Sequence, residues 1–181
     1  FNYDLKKKNW FNSGGKSKVY FKADNLKELV NFLKKLNNDE KIFILGAGSN
    51  TLITDKIFDG VVIKLSKNFN NITLLRDEII IAGSAVLDKS LSDFAMKNNL
   101  SGFEFLSCIP GTIGGGIRMN AGCFENEFKD RFDFWNELND RSNQEVINFI
   151  QKNNIEILFD VMSITHPERL GIFNNRVSPL Q

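Results

Sequence analysis

The glycines are distributed very unevenly, and this constrains how the chain can fold: twelve of the thirteen lie before residue 123. Glycine permits positive φ angles and close approach of another backbone or a ligand, but it loses much conformational entropy on folding. Two loops stand out, at 46–50 and 109–122. Two such loops within one domain favour a phosphate-containing ligand over two unrelated turns.

The first loop, Gly46-Ala47-Gly48-Ser49-Asn50, follows an apolar run at 42–45 that predicts a buried strand. Its backbone N–H groups can converge on an anion, and the serine and asparagine add side-chain hydrogen bonds. The loop is not a Walker sequence, because no Gly-Lys-Ser/Thr follows, and it lacks the full Rossmann spacing. A tight turn between strands remains the alternative.

The second loop runs from Ile109 to Gly116, continues to Gly122 and has four glycines within residues 111–116. Pro110 fixes one φ angle and the glycines remove side chains, which lets a flat cofactor or a pyrophosphate lie against bare backbone. A glycine hinge or close-packed turn is the alternative, at an entropy cost. We expect an irregular functional segment from 102 to 122, in which Glu104 hydrogen-bonds backbone.

The rest of the first 130 residues predicts alternating helices and strands. Asn25 and Glu28 have the spacing of a capping box, and apolar residues then recur at helical spacing. We expect the core to include Leu26, Leu29, Leu33, Leu36, Phe94 and Ala95. Strands are expected at 19–21, 42–45, 61–65, 72–75 and 79–82, the last two forming a hairpin through 76–78.

Composition excludes several classes of protein. Lys+Arg number 23 against 22 Asp+Glu, a net charge of +1, so no dense basic face is available for nucleic acid or a membrane surface. Cys108 and Cys123 form no metal-binding or disulfide pattern. No apolar run approaches the roughly 20 residues of a membrane span, and no signal peptide is evident. We expect a cytoplasmic protein of open oligomeric state; its first residue, Phe1, is typical of a fragment.

Several motifs match one known family in order and spacing, and they cover nearly all of residues 9–130. The matching pieces are Asn9-Trp10-Phe11, Gly14-Gly15, Leu45 to Leu52, Asp59 to Leu65, Gly102 to Leu106, Ile109 to Gly116 and Met119 to Gly122. On these motifs the chain resembles the UDP-N-acetylenolpyruvoylglucosamine reductases (UDP-N-acetylmuramate dehydrogenases, MurB) of bacterial peptidoglycan synthesis.

The resemblance implies an α+β fold, an FAD-binding PCMH-type (vanillyl-alcohol-oxidase-like) domain whose two small α/β subdomains clasp FAD. It also implies NADPH as co-substrate and UDP-N-acetylglucosamine enolpyruvate as substrate. The residues it implies for the pyrophosphate are Gly46, Ala47, Gly48, Ser49, Asn50 and Thr51. Those it implies for the flavin and its ribityl chain are Pro110, Gly111, Thr112, Gly114, Gly115, Asn120, Ala121 and Gly122.

The resemblance weakens after Gly122, where Cys123-Phe124-Glu125-Asn126 departs from the usual glycine-containing turn, and it stops at Asp130. The family's catalytic arginine, serine and glutamate have no counterpart in matching context, so we assign no catalytic residue and no metal ligand. We therefore expect an incomplete FAD-binding domain over residues 1–130 and a separate αβ tail over 131–181. In the tail we expect a short amphipathic helix from Val146, Ile147 and Ile150 and a strand at 155–161.

The tail resembles instead a piece of the O-linked N-acetylglucosamine transferase (SPINDLY-like) family, although Ser163-Ile164-Thr165 stands where that family has Gly-His-Thr. This combination is typical of a truncated or chimeric member. Two alternatives stay open beside a reductase: an FAD- or nucleotide-binding module without catalysis, and a UDP-sugar-binding transferase fragment.

Overall fold

The computed structural model describes residues 1–37, 39–75 and 79–131, together with residues 144, 145 and 148. The chain divides into two units, residues 1–133 and 134–181. The helix predicted from Val146, Ile147 and Ile150, the strand predicted at 155–161 and the transferase-like resemblance lie outside the described residues, as does the turn at 76–78.

The first half of the unit 1–133 is built on a four-stranded sheet in the order β1-β2-β4-β3. Its strands are β1 (Tyr3–Asp4), β2 (Lys16–Ala23), β3 (Ile42–Ile44) and β4 (Phe58–Leu65). β1 is antiparallel to β2, whereas β2 and β3 both run parallel to β4. The carboxyl ends of the three parallel strands therefore meet at one edge of the sheet. Val61, Val62 and Ile63 are buried consecutively, as expected of a central strand covered on both faces.

Helix α1 (Leu26–Leu33) connects β2 to β3 and begins at the predicted cap. Asn25 Oδ1 accepts the Glu28 N–H at 2.9 Å, while the Glu28 carboxylate accepts the N–H of the residue before the cap. Leu29 and Leu33 are buried, but Leu26 is 66% exposed, so its assignment to the core is wrong. By helical spacing Leu26 shares the face of Leu29 and Leu33, but it lies in the first turn, where residues 24–28 are all exposed.

The second half contains the predicted hairpin and two further helices. The hairpin pairs β5 (Ile72–Leu75) with β6 (Ile79–Ala82), as expected. The helices are α2 (Asp88–Lys97) and α3 (Ile113–Met119), and β7 (Gly122–Cys123) pairs with β8 (Asn126–Glu127). Short 3₁₀ turns lie at Glu104–Cys108 and Phe128–Arg131.

The glycine-rich segment is more regular than expected, because α3 lies within it. Thr112 caps this helix, with its Oγ1 accepting the Gly115 N–H at 3.4 Å. Glycine lowers helix propensity, and here it permits close packing: a Cβ at Gly116 would collide with the Phe128 ring, and one at Gly114 would lie 3.1 Å from Ser84. The prediction of an irregular segment throughout 102–122 is therefore wrong, since tertiary packing overrides propensity.

The same half contains Glu104 and the apolar residues expected in the core on α2. Glu104 accepts the Gly102 N–H at 2.8 Å, so its predicted backbone hydrogen bond is confirmed. Ala95 and Phe105 are buried, Phe94 is half-buried, and the Phe105 and Phe128 rings meet edge to face at 5.9 Å. Among the helices of the described ranges, none is long and apolar enough to cross a bilayer.

Candidate cofactor-binding site

The first glycine loop starts where β3 ends, at the carboxyl edge of the parallel strands. Leu45 is buried, and its N–H donates to the Ile63 carbonyl at 2.8 Å, which holds the start of the loop on β4. Gly48 has φ +75°, and its carbonyl accepts the Trp10 N–H at 3.0 Å. A side chain at Gly48 would collide with the Lys8 carbonyl. Only glycine therefore fits both the backbone angle and the space at this position.

The backbone N–H groups of residues 46–50 donate to no acceptor within the described part of the chain. The loop lies near the surface, with Ala47 and Ser49 half-buried and Asn50 exposed. The Lys64 ammonium donates to the Gly46 carbonyl. Free N–H groups in succession beside a cation are what an anion requires. The loop thus has the donors that a phosphate group would use.

The N–H groups of the second loop are used differently. Those of Ile113 and Gly114 donate to the carbonyls of Val86 and Ser84, at 2.8 and 2.9 Å, and those of the next two residues are taken up by Thr112. These groups are therefore committed within the protein. What this loop offers a ligand is a closely packed backbone with few side chains.

The two loops touch each other although they are far apart in sequence. A Cβ built on Gly46 would lie 2.9 Å from Thr112 Oγ1, so the backbone of the first loop lies directly against the cap of α3. The structure thereby brings Gly46, predicted for the pyrophosphate, next to Thr112, predicted for the flavin. Pro110, just before Gly111, is exposed.

The third predicted stretch, 120–122, forms the end of α3. Asn120 has a left-handed backbone with φ 44°. Its side chain donates to Glu127 Oε2 at 2.8 Å and accepts the Lys129 N–H at 3.0 Å. Ala121 donates to the Gly116 carbonyl at 2.8 Å. The Asn120 amide is therefore engaged in holding residues 127–129.

The residues after Gly122 that depart from the family pattern, 123–126, form a tight hairpin turn. Phe124 and Glu125 have φ values of 52° and 60°, both left-handed. Such angles favour glycine or asparagine, and a two-residue hairpin loop with both central residues at positive φ is a type I′ turn. The chain therefore keeps a tight turn at this position without the residues that suit it best.

Asp88 was not identified from the sequence, yet it is the most unusual side chain near the second loop. It is fully buried, and neither carboxylate oxygen has a hydrogen-bond partner in the described residues. Its N–H donates to the Gly111 carbonyl at 3.3 Å, and a Cβ on Gly111 would collide with its Oδ2. Burial raises the pKa of Asp88 to about 7. An aspartate at the start of a helix usually indicates a solvated cap, so the sequence carried no signal of this burial.

Asn9, seen at the sequence level only as part of a motif, is also buried. Its Nδ2 donates to the carbonyls of Leu5, at 3.2 Å, and Ser13, at 2.8 Å. These bonds fix the segment that lies against Gly48. Asn9 therefore helps to hold the first loop in place through the segment that packs against Gly48.

The fold and these loops correspond to a known class of domain. Residues 17–136 match the family model described as "FAD binding domain". The chain belongs to this family of FAD-binding domains. The predicted α+β fold of PCMH type and the predicted cofactor, FAD, are thereby confirmed.

The individual relatives are more specific. The chain is 70% identical over 130 residues to the UDP-N-acetylenolpyruvoylglucosamine reductase of Pelagibacter ubique (strain HTCC1062), covering 72% of this chain and 43% of that protein. It is 47% identical over 132 residues to the reductase of the same name from Orientia tsutsugamushi (strain Boryong), covering 71% and 44%.

A solved structure agrees with these relatives. The crystal structure of UDP-N-acetylenolpyruvylglucosamine reductase (MurB) from Thermus caldophilus matches with a TM-score of 0.57 and 28% identity, over 68% of this chain and 43% of that one. The resemblance inferred from the motifs is confirmed. The chain spans less than half the length of these relatives, and they give no support to the transferase-like interpretation of residues 131–181.

Proposed function

We propose that this chain is the FAD-binding part of a cytoplasmic reductase that uses NADPH to convert UDP-N-acetylglucosamine enolpyruvate to UDP-N-acetylmuramate in peptidoglycan synthesis. The observation that carries the proposal is the contact between Gly46 and Thr112, which sets the two glycine loops next to each other. The 70% identity to the Pelagibacter reductase supports the choice of substrate.

The residues present fit FAD. The free N–H groups of 46–50 and the side chains of Ser49, Asn50 and Thr51 would hold the pyrophosphate. The closely packed backbone from Pro110 to Gly115, with Ala121 and Gly122, would line the flavin and its ribityl chain. When bound, FAD supplies the hydride chemistry that amino-acid side chains lack. The work of this chain is to bind and orient it.

The proposal separates FAD binding from turnover. The arginine, serine and glutamate that the family resemblance implies for catalysis have no counterpart in matching context in this sequence. We therefore expect residues 1–181 to bind FAD without oxidising NADPH in the presence of the enolpyruvate substrate. On this proposal the chain is a reductase by family and an FAD-binding module by itself.

The test is the visible absorbance of the purified protein before and after FAD is added, with thermal unfolding followed in parallel. Equimolar flavin bands and a rise in Tm support the proposal, because a ligand that binds only the native state must stabilise it. Gly48→Val should abolish both effects, whereas Gly102→Val, which strains a glycine of similarly positive φ outside both loops, is the matched control and should keep them. Stabilisation by a UDP-sugar without any by FAD would favour the transferase alternative instead.

A further inference from the structure

Three lysines gather beside the first loop. Lys22 and Lys64 are direct Cα partners on the parallel strands β2 and β4, so their side chains leave the same face of the sheet. Both lie near the carboxyl ends of these strands, where β3 passes into the loop. In open sheets of parallel strands, ligands bind outside this edge. The Lys64 ammonium reaches the loop itself, through the Gly46 carbonyl.

The third lysine is held over the same face by two tyrosines. The Tyr3 and Tyr20 rings stack at 4.2 Å, and Lys8 Nζ lies 5.5 and 5.7 Å from their centroids. Tyr20 precedes Lys22 by two residues on β2 and therefore shares its face. A hydrogen bond to Tyr3 raises the pKa of Lys8, so this side chain stays charged.

The positive charge of this group is not neutralised within the described residues. The ion pairs there are Lys18–Asp59 and Lys129–Glu127, and neither involves the three lysines. Burial, and then the charges of Lys8 and Lys22, lower the pKa of the half-buried Lys64. Like charges held together at the rim of a loop with free N–H groups attract an anion strongly.

We propose that Lys8, Lys22 and Lys64 form a cationic patch that binds the diphosphate of the dinucleotide held by residues 46–51. The patch supplies charge where the loop supplies directed N–H donors. The inference deepens the proposed function and rests on it for the identity of the dinucleotide, FAD. The same chemistry would also take the diphosphate of a nicotinamide dinucleotide, and the test separates the two sources.

The experiment compares wild type with Lys22→Gln and Lys64→Gln, using Lys18→Gln as the matched control on the same strand. Inorganic pyrophosphate binding is measured by calorimetry, and FAD and riboflavin binding by flavin fluorescence. Because Lys22 is exposed, its substitution leaves the fold intact. We expect each patch substitution to weaken pyrophosphate and FAD about tenfold and to reduce the salt dependence of both. Riboflavin, which has no phosphate, should bind all four proteins equally.

The outcomes distinguish the patch from the proposed function. The patch is overturned if both patch variants bind FAD and pyrophosphate as tightly as wild type does, or if wild type does not bind pyrophosphate. Neither result decides whether the chain binds FAD, which the FAD titration measures directly. Lysine-dependent binding of pyrophosphate without any binding of FAD would support the patch and defeat the proposed function. If the substitutions weaken NADP⁺ alone and leave FAD unchanged, the assignment to FAD is refuted and the nicotinamide dinucleotide is the source.

Discussion

Asp88 should make the stability of this domain fall as the pH rises, and Asp88→Asn should remove that dependence. The carboxyl group is completely buried beside the Gly111 backbone, and no donor in the described residues reaches its oxygens. Burial alone raises its pKa to about 7, from 3.8. The folded state therefore binds the proton more tightly than the unfolded chain does, so protonation favours folding.

The sign and size of the effect follow from linkage. The stabilisation is complete below about pH 4, is lost as the pH rises towards 7, and is absent above the folded-state pKa. At about 1.4 kcal/mol per pKa unit, the displacement corresponds to a maximum of about 4 kcal/mol in the free energy of unfolding. Asparagine has nearly the same shape as aspartate and no charge at any pH. The free energy of unfolding of Asp88→Asn should therefore lack this pH dependence.

The assay is urea unfolding of wild type and Asp88→Asn at half-unit steps from pH 4 to pH 8.5. We expect the stability of the variant relative to wild type to rise through this range and to level off above pH 7. The exposed Asp55 provides the control, since Asp55→Asn should show a pH dependence parallel to that of wild type. Parallel curves for Asp88→Asn and wild type would refute the reasoning and show that the carboxylate is solvated in the folded protein.

Three further predictions concern backbone and packing. Gly116→Ala should destabilise the domain by about 1–3 kcal/mol in urea unfolding, because its Cβ would collide with the Phe128 ring. Gly115→Ala is the control on the same helix: its Cβ has ordinary contacts, so equal losses would contradict this account. Phe124→Asn combined with Glu125→Gly should raise stability by about 1 kcal/mol by relieving two left-handed angles. An unchanged or lower Tm would argue against strain there. Asn25→Ala should cost about 1 kcal/mol through loss of the α1 cap, and Asn25→Ser, which keeps an acceptor, should not.

Local patterns predicted those parts of the fold whose causes are local. The capping residues of α1, the alternation within β2 and the hairpin of β5 and β6 each depend on residues within a few positions of one another. Leu26 shows the limit of such patterns, because helical spacing does not reveal which end of an apolar stripe is left exposed. Helix α3 could not be predicted because its glycines are poor helix formers, and the close approach of Phe128 to Gly116 and of Ser84 to Gly114 is a tertiary contact.

The candidate site was predicted in outline, through two loops that share a composition suited to phosphate and flat ligands. The contact between Gly46 and Thr112 joins residues that are far apart in the chain, and no periodicity encodes it. The burial of Asp88 and the alignment of Lys22 with Lys64 are likewise products of strand register and packing. Residues at single positions can indicate a chemistry, but their juxtaposition is a property of the tertiary fold.

The different use of backbone N–H groups in the two loops has a consequence for amide hydrogen exchange. Residues 113–116 are hydrogen-bonded within the protein, so their amides should exchange slowly whether or not a ligand is bound. Residues 46–50 have no such bonds in the described part of the chain, and their amides gain protection only from what binds there. Folding alone thus completes the hydrogen bonds of the second loop, whereas those of the first loop are completed only when a ligand binds.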